Sequence, residues 1–67
     1  MTRIVVRPKQ NKRFCSAISA LLSEGFEERG QNFDGRFVFE KNNRRYVVEE
    51  ARHYNGFFEY IIVAEEK

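Results

Sequence analysis

The chain has 67 residues, 33% of them charged and 42% hydrophobic, with seven phenylalanines, three tyrosines and a formal net charge of +2. That length holds one small domain, residues 1–67, with a thin core, and the composition excludes a disordered tail. Cys15 is the one cysteine, so an internal disulfide is excluded, and with the one histidine, His53, it falls short of a four-ligand zinc site of Cys/His type.

The small net charge hides a division. Arg3, Arg7, Lys9, Lys12 and Arg13 come before any acid, the first being Glu24, and the remainder carries seven basic against ten acidic residues. A basic N-terminal segment on a mildly acidic body says something about the polarity of a partner. Met1 to Pro8 lacks the apolar run of a secretory signal, and nothing approaches the roughly 18 apolar residues of a membrane span. With a free cysteine, the expectation is a cytoplasmic protein that does not enter membranes.

Ile4-Val5-Val6 between arginines predicts a first strand within Thr2 to Arg7, ended by Pro8. From Gln10 to Glu24 the spacing becomes helical. Phe14, Ala17, Ile18, Leu21 and Leu22 build an apolar stripe, and Asn11 is the expected N-cap. Gly25 suits a left-handed helix stop with Phe26 folding back on Leu21, the hydrophobic signature of a Schellman motif. Ser16, Ser19, Ala20 and Ser23 are small and lie opposite the stripe.

Glu27 to Gly35 is polar and reads mainly as a loop, with room for a short strand near Glu27. Two hairpins follow. Asn42-Asn43 joins Arg36–Lys41 to Arg44–Arg52, and Asn55-Gly56 joins that second strand to Phe57–Ala64; both dipeptides suit turns with positive φ at two successive residues. The first turn sets Phe39 opposite Tyr46, Phe37 opposite Val48 and Val38 opposite Val47, with Glu40 facing Arg45 and Arg36 facing Glu49. The predicted fold is α+β, one amphipathic helix packed on a three- to four-stranded antiparallel sheet in the order β-α-β-β-β.

Continued through the second turn, strict alternation puts Ile61 and Val63 on the helix side. Phe58, Tyr60 and Ile62 then join Val38 and Val47 on the other side, an apolar patch too large to leave to water. A bulge near Glu49-Glu50 would swap faces part-way and relieve the conflict. Without relief, the patch predicts a homodimer through the sheet, which a small unstapled core also favours.

Catalytic signals are missing. Cys15 and His53 have no visible orienting group, and the adjacent glutamate pairs at 27–28, 49–50 and 65–66 would point to opposite sides of a strand. The glycines are spaced as punctuation, not as a phosphate loop. The run Arg36-Phe37-Val38-Phe39 fails the aromatic signature of RNA-recognition strands, because Glu40 occupies the last aromatic place. Lys12 and Arg13, placed in the first helical turn, would oppose the helix dipole unless an anion answered them.

The function expected from these residues is that of a non-enzymatic binding or regulatory protein of inhibitor or adaptor type, needing no cofactor. It would dock on another macromolecule, first a protein with an acidic surface, through Arg7, Lys9, Lys12 and Arg13. Phe58, Tyr60 and Ile62 would supply apolar or dimer contact. The alternative is a DNA- or RNA-binding protein using the same basic cluster on phosphates.

Overall fold

Two left-handed turns set the architecture. Asn42 and Asn43 take φ of 54° and 63°, and Asn55 and Gly56 take 53° and 83°, so both dipeptides make the positive-φ hairpin turn that matches strand twist. The computed structural model of the chain describes residues 2–9 and 13–66. Its elements are β1 (Arg3–Val6), α1 (Ala17–Ser23), β2 (Glu27–Gln31), β3 (Phe37–Lys41), β4 (Arg44–Tyr54) and β5 (Phe57–Glu65). The strands form one antiparallel sheet in the order β1-β5-β4-β3-β2, with α1 against one face.

The sheet therefore has five strands, one more than the upper expectation. The addition is β2, which pairs with β3 through Glu27↔Glu40 and Glu28↔Phe39, then shifts register before Gln31↔Phe37. Its residues are almost all exposed. Between β3 and β4 the expected pairs Val38↔Val47, Phe39↔Tyr46 and Glu40↔Arg45 are all present. The carboxylate of Glu40 turns away from Arg45, however, and accepts from Arg29 of β2 at 2.6 Å.

The helix is shorter than its apolar periodicity suggested. Ser16, in extended conformation at φ −156° and ψ 161°, is the N-cap, and its hydroxyl accepts from the Ser19 amide at 3.2 Å. Asn11 and Lys12 lie outside the described residues. Arg13 and Phe14 precede the helix, so the expected conflict between Arg13 and the helix dipole does not arise. The stripe is also rotated: Ala20 and Leu21 are fully buried, whereas Leu22 is exposed. Seven residues cannot sustain a helix alone, so packing holds this one in place.

The helix end follows the sequence closely. Gly25 has φ +94°, its amide donates to Leu22 O at 3.2 Å, and the Phe26 amide donates to Leu21 O at 3.0 Å, which is the Schellman pair. The last turn contains no basic residue. Lys41 of β3 fills that role, donating to Glu24 O at 2.9 Å while its ammonium lies 4.9 Å from the centre of the Phe26 ring. Phe26 then meets Tyr46 edge-on, at 5.9 Å between centroids.

Two bulges decide which residues reach the helix. Val48 pairs with Val63 but Glu50 with Ile62, so Glu49 is an extra residue in β4; Arg52 pairs with Tyr60 but His53 with Phe58, so Glu59 is an extra residue in β5. Phe58 thereby shares a face with Ile61 and Val63 and is only 6% exposed, within the cluster that holds Leu21, Phe26, Phe39 and Tyr46. This corrects the expected placement of Phe58 beside Tyr60 and Ile62, since alternation is broken at Glu59. The bulge anticipated near Glu49 is present.

Replacing Gly25 by Ala isolates the helix stop. A Cβ there meets nothing closer than the Lys41 side chain at 3.7 Å, so the cost is that of a left-handed non-glycine residue, about 1–2 kcal/mol. Urea unfolding of Gly25→Ala should show a lowered midpoint at unchanged slope; an unaltered midpoint would contradict the Schellman assignment.

Candidate docking surface

The basic segment runs from the end of β1 toward the β4–β5 turn. Because Val6 is opposite Ile61 in an antiparallel pair, Arg7 and Lys9 continue toward the end of the sheet where β5 begins. On the far side of residues 10–12 the chain is tied to the turn itself: the Phe14 amide donates to Gly56 O at 3.0 Å. Arg13 is fixed there by two contacts. One Nη donates to Asn55 O at 3.0 Å, and the guanidinium carbon lies 4.9 Å from the centre of the Phe57 ring. A Cβ at Gly56 would lie 3.0 Å from that guanidinium, at a φ of +83° that itself favours glycine.

Most arginines of the body are in ion pairs; among the described residues Arg36 and Lys41 are in none. Arg3 pairs with Glu49, Arg29 with Glu27 and Glu40, Arg44 with Glu65, Arg45 with Glu66 and Arg52 with Glu59. Among the described residues Arg7, Lys9 and Arg13 pair with no acid, and all three are exposed. Four residues of the expected site were basic: Arg13 is fixed at the β4–β5 turn, Arg7 and Lys9 follow the end of β1, with Arg7 beside Glu24 and Lys41, and Lys12 lies outside the described residues. Tyr54 stands at the same turn, 66% exposed.

The apolar trio does not act as one surface. Phe58 belongs to the core, against the His53 ring at 4.5 Å. Tyr60 and Ile62 are half-buried on the face away from the helix. The Tyr60 hydroxyl donates to Glu50 at 2.6 Å, and this bond, aided by partial desolvation and the adjacent charge, holds the phenol above its ordinary pKa. Nearby, Arg3 donates to Glu49 at 2.6 Å and keeps that carboxyl below the usual glutamate range.

The rest of this face is covered as well. Val38 and Ala64 are buried without a helix above them. The loop between β2 and β3 folds toward them, with Asn32 Nδ2 donating to Glu66 at 3.0 Å, and the flanking Arg3–Glu49 and Arg45–Glu66 pairs border the row. The open apolar patch expected from the sequence is therefore much reduced.

One exposed aromatic went unread in the sequence. Phe33 is fully exposed at the tip of that loop, whose backbone is held by the Asn32 side chain accepting from the Asp34 and Arg36 amides, each at 3.0 Å. The signal was Asn32-Phe33-Asp34-Gly35, a turn with a phenylalanine inside it. Cys15 is exposed and its sulfur lies 3.7 Å from the Ser19 hydroxyl; no hydrogen bond joins it to His53 among the described residues. No helix of the described residues is long and apolar enough to cross a membrane.

Compared with known protein families, curated proteins and solved structures, the chain finds no match.

The position of Arg13 reverses what its charge alone implied for stability. Were it in the first helical turn, Arg13→Glu would be neutral or stabilising. Outside the helix, stacked on Phe57 and bonded to Asn55 O, it should lose about 0.5–1 kcal/mol from the cation–π contact. Chemical denaturation of Arg13→Glu is expected to give a lower midpoint; a raised midpoint would return Arg13 to the helix.

Proposed function

We propose that this is a non-enzymatic docking protein, of inhibitor or adaptor type, that binds an acidic surface of a partner protein through the end of the sheet formed by Arg7, Lys9 and Arg13. The observation that carries the reading is the distribution of ion pairs: six of the ten acids pair with Arg3, Arg29, Arg44, Arg45 and Arg52, whereas the N-terminal cations Arg7, Lys9 and Arg13 are exposed and without an acid partner among the described residues. Arg13 is held in one geometry before any partner arrives, which lowers the ordering cost of binding. Complementary charge at such a rim raises association rate and selects partners. Cytoplasmic residence is part of the same proposal.

A nucleic acid is the second reading, favoured by Tyr54 exposed beside an arginine already stacked on Phe57. Self-association through the sheet keeps two of its three apolar residues, Tyr60 and Ile62, and both are half-buried; their small exposed area makes it the weaker component.

The test is capture from the native host with the wild-type chain and with the Arg7→Glu, Lys9→Glu double variant, before and after nuclease treatment. The proposal expects a protein retained by the wild type through nuclease treatment and lost from the variant. Release by nuclease, with competition by duplex DNA or RNA of random sequence, would give the function to nucleic-acid binding. Equal retention by both chains would leave the basic end a solvated surface.

A further inference from the structure

The sheet has two edges, and they are built differently. At β2, the register shift between Glu28 and Gln31, the charged side chains of Glu27, Glu28 and Arg29, and the Gly30 amide bonded to the Glu28 carboxylate all obstruct another strand. At β1, a four-residue strand that carries Arg3 and is followed by Arg7-Pro8, no register shift and no side-chain bond to the backbone is present among the described residues. The Glu65 amide donates to Thr2 O at 2.8 Å, which makes Thr2 and Glu65 a hydrogen-bonded pair. Antiparallel alternation then turns Ile4 and Val6 toward β5, while the amides of Arg3, Val5 and Arg7 and the carbonyls of Arg3 and Val5 point to the free edge. Val5 is 51% exposed there. A groove of about 330 Å³ runs alongside, lined by Ile4, Val6, Arg7, Phe26, Lys41 and Tyr46, with Glu24 as its acid.

We infer that the free edge of β1 takes up an extended, acidic segment of a partner protein as a sixth antiparallel or parallel strand, with apolar side chains entering the groove and acidic ones meeting Arg7. The inference rests on the acidic-partner reading and specifies how that partner is held. An added strand satisfies the outward groups of Arg3, Val5 and Arg7 by main-chain hydrogen bonds and gains selectivity from alternate side chains. Charge decides the occupant. Arg7 has no acid partner among the described residues, Lys41 lies in the groove, and Glu24 alone opposes them. A second copy is a poorer fit, because the antiparallel register that uses all three outward residues sets Arg3 of one chain against Arg7 of the other.

The probe is a capped heptapeptide of alternating valine and glutamate, with a valine–lysine counterpart, followed by amide hydrogen exchange of the full chain. Saturating valine–glutamate peptide should slow exchange at Val5 and Arg7 at least about tenfold while leaving Ile4 and Val6 little changed, and the lysine peptide should bind at least about tenfold more weakly. Val5→Pro removes an outward amide that β5 does not use; it should abolish peptide binding while the remaining amide spectrum stays folded. Binding without slowed exchange at Val5 would overturn strand addition yet leave acidic docking standing. Absence of binding to wild type, or Val5 protection that rises with protein concentration alone, would overturn the inference, the latter in favour of a second copy.

Discussion

Two extra residues, Glu49 in β4 and Glu59 in β5, are the constraint on which the rest of this structure depends. A regular β5 would carry Phe58, Tyr60 and Ile62 on one side and Glu59, Ile61 and Val63 on the other. The extra residue at Glu59 takes the acid out of that alternation and lets Phe58 join Ile61 and Val63 beneath the helix. The extra residue at Glu49 does the same for β4: Tyr46 and Val48 face the core, after which Glu50 and Arg52 fall on the opposite side. Without the two shifts, acids would enter the core face and a phenylalanine would leave it, each a substantial loss for a domain this small.

That arrangement also shapes the surface. Glu50, displaced from the core face, becomes the partner of the Tyr60 hydroxyl, and the extra residue Glu49 becomes the partner of Arg3. With Arg45–Glu66 and Asn32–Glu66 these contacts border the Val38, Val47, Ala64 row and engage Glu49, Glu50 and Glu66. Arg7, just past β1, and Arg13, at the β4–β5 turn, remain without an acid partner among the described residues, Arg7 beside a strand edge whose backbone groups face outward. An unpaired cation and unused backbone hydrogen-bonding groups thus lie next to each other where β1 runs out.

Much of this was legible in the sequence where a local rule has only one solution. Asn42-Asn43 and Asn55-Gly56 fixed two turns and, through the first, the β3–β4 register. Gly25 and Phe26 fixed the helix stop, because a left-handed residue followed by an apolar one has few other uses. The helix start was misread because Phe14 has the right spacing for the stripe, although its amide bonds to Gly56 across the molecule. β2 was read mainly as loop with room for a short strand near Glu27, since Glu27 to Gln31, lying exposed at an edge, has no apolar alternation to reveal it. The face of Phe58 was unreadable for a different reason: the conflict of two apolar faces announced that a bulge was needed, and pointed to Glu49, but nothing local marked Glu59. For the candidate site, the basic residues were legible from charge order alone, whereas their isolation from acids and the free edge beside them required the topology.

The central claim, that Glu59 stands outside the alternation of β5, is open to a single measurement, a nuclear Overhauser spectrum of the folded chain in the aromatic-to-methyl and aromatic-to-aromatic regions. The account expects the Phe58 ring to show cross-peaks to the methyls of Ile61 and to the His53 ring, whose centre lies 4.5 Å away, while Tyr60 correlates with groups of the open face. Cross-peaks joining the Phe58 ring to Tyr60 and Ile62 side chains, with none to Ile61, would place Phe58 on the open face and contradict the fold as described.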